Sequence, residues 1–81
     1  MTEKNVTISI PEGLTAKSAT ALIAKANDFS CSIFLESNMR RINCKSLLGV
    51  LSLGLKCGDT AVLSASGADE ETAVESLAAM F

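Results

Sequence analysis

The 81-residue chain contains no histidine, tyrosine or tryptophan, and a single proline. Histidine is the side chain whose ordinary pKa lies nearest neutrality. Without it the usual general base is missing, and with it the common Ser–His and Cys–His nucleophile pairs. Long hydrophobic runs are lacking too. No apolar stretch approaches the ~18 residues of a membrane-spanning helix, and "MTEKNVTISIPEG" has no apolar signal-peptide core. A surplus of positive charge is also absent: seven Lys and Arg stand against nine Asp and Glu, which speaks against a direct nucleic-acid binder. These absences lead to the expectation of one cytoplasmic, non-enzymatic domain spanning residues 1–81, off the membrane.

Three cysteines, Cys31, Cys44 and Cys57, make an odd count with no CxxC pair. They are expected as buried or half-buried thiols rather than a disulfide framework, and no metal or cofactor is expected. The charges that are present are unevenly placed. All seven basic residues lie within residues 1–60, whereas Asp69, Glu70, Glu71 and Glu75 are the only charges beyond. The first two-thirds of the chain therefore has a mild positive bias suited to an acidic protein partner, while the late acids also sit where a helix start favours them.

Periodicity divides the chain into seven short elements. "KNVTISI" alternates Val6, Ile8 and Ile10 with polar residues, the pattern of a half-buried strand, and Pro11-Glu12-Gly13 ends it. Thr15 is a favoured N-cap for a helix whose apolar positions Ala16, Ala19, Ile23 and Ala26, with Leu22, recur at helical spacing to about Asn27 or Asp28. "SIFLES" and "RRINC" read as strands joined at Asn38-Met39, which would set Ile33 opposite Cys44 and Leu35 opposite Ile42. Ser46 is placed to cap a helix of no more than two turns, "LLGVLSLG", with Val50 and Leu53 directed to the core. "TAVLSAS" is a strand, and Asp69 is expected to cap a final helix burying Ala73, Val74, Leu77 and Met80 or Phe81. The order βαββαβα makes an α+β open sandwich, a four-stranded antiparallel sheet covered on one face by helices.

One motif is a near miss. "GVLSLGLKC" spaces Gly49 and Gly54 like a phosphate-binding P-loop, but the lysine comes a residue late and no Ser or Thr follows it. The stretches "PEGLTAKSA" (11–19), "NCKSLLGVLSLG" (43–54) and "GADEE" (67–71), in this element order, instead resemble the HPr family. These are the histidine-containing phosphocarriers of the bacterial sugar phosphotransferase system. The first family motif runs close to PxGLHARPA and the second to NAKSxxGVxSLG, so the resemblance covers essentially the whole chain.

The first motif departs at its reactive centre. The phosphorylated histidine of the family falls on Thr15, its arginine on Lys17 and its proline on Ser18. A phosphothreonine ester is far more stable than a phosphoramidate and would trap the phosphoryl group. Lys17 keeps the positive charge without the planar fork that grips phosphate. The resemblance is thus to the histidine-less, Crh-like branch of the family. Thr15 is then a helix cap or a new phosphoacceptor.

The second motif persists. The resemblance implies that Ser46 is a regulatory phosphorylation site for an HPr kinase, while its position alone reads as an N-cap. It also implies a docking patch of Ala16, Lys17, Thr20, Leu47, Leu48 and Leu51 for protein partners: a transcription regulator, a metabolic enzyme or phosphotransferase-system enzymes. The alternatives are a phosphocarrier by family membership and an unmodified scaffold. The chain is expected as a monomer or a strand-exchanged dimer, since the first strand of the family lies at a sheet edge.

Overall fold

The alternating segment near the N-terminus forms strand β1 (Thr2–Thr7) in the computed structural model, which describes all 81 residues. After it come α1 (Ala16–Ala26), β2 (Ser32–Ser37), β3 (Arg40–Asn43), α2 (Leu47–Ser52), β4 (Thr60–Ser66) and α3 (Glu70–Ala78). The strands make one antiparallel sheet in the order β1-β4-β2-β3, so β1 and β3 are its edges. The expected βαββαβα sandwich is the observed architecture. No helix is long and apolar enough to cross a membrane.

β1 begins and ends earlier than its alternation indicates, because its ladder with β4 starts at Thr2 opposite Ala65 and stops at Thr7 opposite Thr60. Ile8 prolongs the contact irregularly, its N–H donating to the Asp59 carbonyl and its own carbonyl accepting from Gly58 N–H. Val6 and Ile8 are buried and Ile10 is half-buried.

Register places the apolar residues of the sheet on one face. Leu35 of β2 stands opposite both Ile42 of β3 and Leu63 of β4, and Ile33 stands opposite Ala65. Beyond the last ladder pair, Cys44 N–H donates to the Ile33 carbonyl. Over this face lie Ala19, Leu22 and Ala26 of α1, Val50 of α2, and Ala73, Val74 and Leu77 of α3, all buried in one cluster. Ala16, grouped with the apolar stripe of α1 by spacing, is exposed because it occupies the first helical position, before the helix reaches the sheet. Phe81 is buried and Met80 half-buried. On the uncovered face the Arg41 guanidinium sits 4.3 Å from the ring centre of Phe34.

Asn38 and Met39 form the two-residue hairpin turn, both with positive φ (53° and 64°). That is the conformation two-residue hairpins favour, because its twist matches the strands. Asn tolerates it; Met does so at a cost and is 99% exposed.

The final helix starts differently from the sequence expectation. Asp69 occupies the N-cap position, but its side chain caps nothing in α3. Its carboxylate reaches across to accept the backbone N–H groups of Ser30 (3.0 Å) and Cys31 (3.1 Å), tying down the loop before β2. Glu70 takes the Gly67 N–H (3.2 Å) with one oxygen, and the Thr2 hydroxyl (2.6 Å) and the N-terminal ammonium (3.1 Å) with the other. Both carboxyls are held below their ordinary values. For Asp69 the causes are the Cys31 thiol, then the Ser30 N–H; for Glu70 the Thr2 hydroxyl and the N-terminus take it from 4.5 to about 2.

A carboxyl held low in the folded state stabilises the fold above its unfolded pKa, and the gain disappears as pH falls through the folded value. Urea midpoints should therefore hold steady from neutrality down to the ordinary carboxylate range and decline from there towards about pH 2. Asp69→Asn and Glu70→Gln should each lower the neutral-pH midpoint and flatten that decline. An unchanged acid slope in the double variant would assign it to other groups.

Candidate functional site

The head of α1 is positioned by a residue without a side chain. Gly13 has φ +76°, and a Cβ there would lie 2.7 Å from the Leu55 carbonyl oxygen and 2.9 Å from Lys56 Cα. Leu14 N–H donates to that same carbonyl at 3.0 Å. The segment entering α1 is therefore pressed against the backbone that leaves α2, and α1 and α2 pack side by side.

Thr15 then caps α1 in a capping box. Its N–H donates to Ser18 Oγ at 3.0 Å, while Ser18 N–H makes a long contact of 3.5 Å to Thr15 Oγ1. The Ser18 hydroxyl is within 3.3 Å of the carbonyls of Gly13 and Thr15. Each side chain thus occupies the other's backbone at the helix start, a pairing that generally contributes about 1 kcal/mol. Ala16, Lys17 and Thr20 are exposed on the following turn. The Thr20 hydroxyl donates to the Ala16 carbonyl at 2.7 Å, which leaves the ammonium of Lys17 as the charged group of this surface.

α2 has only six residues, below the length at which a helix sustains itself. Its ends are held from outside. Ser46 is its N-cap, with Oγ accepting Gly49 N–H at 3.2 Å. Just before it, Asn43 Oδ1 accepts Lys45 N–H (2.9 Å), and Lys45 Nζ donates to the Phe29 carbonyl (2.8 Å). At the far end the Arg40 guanidinium donates to the carbonyl (2.8 Å) and hydroxyl (3.1 Å) of Ser52, a cation at the negative end of the helix. A Cβ on Gly49 would stand 3.3 Å from Ile42 Cβ, so glycine there brings α2 close over β3.

Held this way, α2 divides its leucines. Val50 and Leu53 are buried, and Leu51 is half-buried against the core. Leu47 is 42% exposed and Leu48 83%, next to the exposed Ser46. The residues singled out from sequence thus occupy two adjoining helices, with Thr15, Ala16, Lys17, Ser18 and Thr20 on one and Ser46, Leu47, Leu48 and Leu51 on the other. The surrounding chain is free of acids. Residues 13–27 and 37–58 hold six of the seven basic residues and no Asp or Glu. Of these bases, Arg41 is turned to the open sheet face and Lys45 is engaged with Phe29.

Other chemistry lies apart from this surface. A broad depression lies on the open sheet face near the β2–β3 turn, beside Glu36, Met39 and Asp59, and none of the residues above lines it. No group of three or more His, Cys, Asp or Glu could hold a metal ion. Burial pushes the Cys44 thiol up to about 11 and, with the neighbouring Asp69 carboxylate, also raises that of Cys31. Cys57, expected at least half-buried, is exposed because it lies in the loop between α2 and β4. The external clamps of α2 by Arg40 and Lys45 escaped the sequence reading; the sole signal was a base on either flank of a helix too short to stand alone.

Replacing Gly13 with alanine should cost about 2–4 kcal/mol, combining a left-handed backbone penalty with a clash against backbone that cannot yield. Urea denaturation would measure it, and a loss under 0.5 kcal/mol, roughly the scale of a neutral surface change, would mean that the junction of the two helices is looser than described.

Comparison with known proteins follows the same outline. The family model described as "PTS HPr component phosphorylation site" matches residues 2–81. The HPr-like protein Crh of Halalkalibacterium halodurans is 38% identical over 79 residues, covering 98% of this chain and 94% of that protein. The structure of a phosphocarrier protein HPr from Bacillus anthracis superposes with a TM-score of 0.95 at 35% identity, covering 98% and 94% of the two chains. Crh from Bacillus subtilis, described as a dimer with a swapping domain, superposes with a TM-score of 0.80 at 36% identity, covering 99% and 92%.

Proposed function

The chain belongs to the HPr family, and from that premise we propose that it is a regulatory binding protein of the phosphotransferase system rather than a phosphoryl carrier. The observation that carries this reading is the head of α1. Where the family motif has its phosphohistidine, this chain has Thr15, and the threonine is engaged in a reciprocal cap with Ser18. A histidine at this point accepts a phosphoryl group and gives it up readily; a threonine ester would hold the group instead of passing it on. The reading assigns no catalytic residue, cofactor or metal, and a place in the cytoplasm with the rest of the system.

Signalling would run through Ser46. Its hydroxyl is exposed at the start of α2, where a phosphate would meet helix N–H groups and the positive end of the helix dipole. A phosphate adds up to about two negative charges, here beside Leu47 and Leu48 in a stretch that otherwise holds no acid. The change alters which partner fits while leaving the fold intact. The docking patch combines the apolar Leu47 and Leu48, with Leu51 behind them, and the exposed turn Ala16–Lys17–Thr20. Its chemistry suits a protein with an apolar recess rimmed by acids, such as a transcription regulator or a metabolic enzyme.

A second reading concerns assembly. β1 is an edge strand joined to the rest by the Ser9–Gly13 segment, and the swapping-domain dimer of B. subtilis Crh supports a strand-exchanged dimer of this chain alongside the monomer.

Incubation with ATP and an HPr kinase, read by intact mass, should add one phosphoryl group to the native protein and none to Ser46→Ala. No gain, with the kinase active on an ordinary HPr, would leave Ser46 a helix cap and the protein an unmodified scaffold. Leu48→Ser should weaken capture of the partner at least about tenfold, on the scale of a buried apolar anchor, without shifting the urea midpoint.

A further inference from the structure

β1 is bound to the molecule more by polar contacts than by burial. Of its six residues only Val6 is buried, and the rest face solvent or stand at the margin. Its partner strand β4 supplies the ladder. The start of the strand has two further attachments, both to Glu70 Oε2: the Thr2 hydroxyl donates to it at 2.6 Å, and the N-terminal ammonium pairs with it at 3.1 Å. The other oxygen of that carboxylate, Oε1, accepts Gly67 N–H from the turn between β4 and α3. Glu70 also opens α3, where the helix dipole favours its negative charge and α3 holds its position. A single fixed carboxylate therefore spans the free end of the edge strand and the turn that borders it.

We propose that Glu70 is a latch on β1 and sets the rate at which this strand passes to a second copy of the chain; the proposal rests on the strand-exchange reading above. In the closed monomer Thr2 bonds Glu70 of its own chain. In an exchanged dimer Thr2 bonds Glu70 of the other copy in the same geometry. The bond is absent only in the open form, with β1 detached, through which exchange must pass. An interaction present in both end states and missing between them raises the barrier and leaves the equilibrium unmoved. The remaining attachments of β1, its ladder and Val6, obey the same rule, but Glu70 is the one that a single side-chain change removes without touching strand or core. Below the latch a short run joins the strand to α1. Ser9 N–H reaches the Phe81 carbonyl, Gly13 N–H closes a turn onto Ile10, and Pro11 and Glu12 between them are exposed.

The test uses the full chain at neutral pH as wild type, Thr2→Val, Glu70→Gln and the double variant. Native-state hydrogen exchange should show the β1–β4 ladder amides opening roughly tenfold faster in each single variant, on the scale of one lost charged hydrogen bond. Glu70→Gln, which also releases the N-terminal ammonium, should open the ladder at least as fast as Thr2→Val. The double variant should add little to Glu70→Gln, and the α1 and β2 amides that exchange by local opening should not change. Mixing of light and heavy-isotope dimers, followed by native mass spectrometry, should accelerate by a similar factor with the dimer fraction at equilibrium unaltered. Unchanged ladder exchange, or acceleration spread evenly over all amides, would overturn the latch. Faster ladder opening in a chain that stays monomeric in every variant would overturn the strand-exchange reading and remove the second copy from the proposal. A dimer fraction that shifts with Glu70→Gln would overturn the claim that the latch acts on rate alone.

Discussion

The close approach of Gly13 to the backbone of Leu55 and Lys56 is the contact on which the arrangement of the surface depends. Any side chain at that position would push the head of α1 away from the end of α2. With glycine, the Leu14 N–H can reach the Leu55 carbonyl, and the two helices share a junction instead of being joined only through the sheet beneath. The capped start of α1 and the exposed leucines of α2 thereby belong to one continuous face.

The second determinant is that α2 is too short to be its own support. Six residues cannot recover the cost of nucleating a helix, so neighbouring groups supply what length does not: the Ser46 cap, the Lys45 tether to Phe29, and Arg40 on the terminal carbonyl. Because these clamps act at the ends, the middle of α2 is free to present Leu48 outward while Val50 goes to the core.

Much of this was legible in sequence because local rules and tertiary packing agree. The hairpin register followed from reading Asn38-Met39 as a two-residue turn, and the observed pairing of Leu35 with Ile42 obeys it. Thr15 and Ser46 were readable as caps since both precede apolar helical periodicity. What escaped was set by contacts distant in the chain. Asp69 has the composition and place of an N-cap, yet its carboxylate serves Ser30 and Cys31 some forty positions earlier. Glu70 looked like one more first-turn acid and proves to hold the N-terminal strand. The start of β1 was misplaced because pairing with β4, rather than alternation, decides where the ladder begins. The family resemblance nominated the residues of the candidate surface, while its supports depend on contacts between distant parts of the chain.

A phosphoryl-transfer assay bears most directly on the claim that this HPr-family chain carries nothing. The protein would be incubated with phosphoenolpyruvate and enzyme I, with an ordinary HPr as positive control, and intact mass read before and after brief acid treatment, which removes phosphoramidates and spares phosphate esters. The native chain should show no added phosphoryl group while the control is fully loaded. A phosphoryl group appearing on the native chain would contradict it. If that group resisted acid and vanished in Thr15→Ala, the capping threonine would be an acceptor after all.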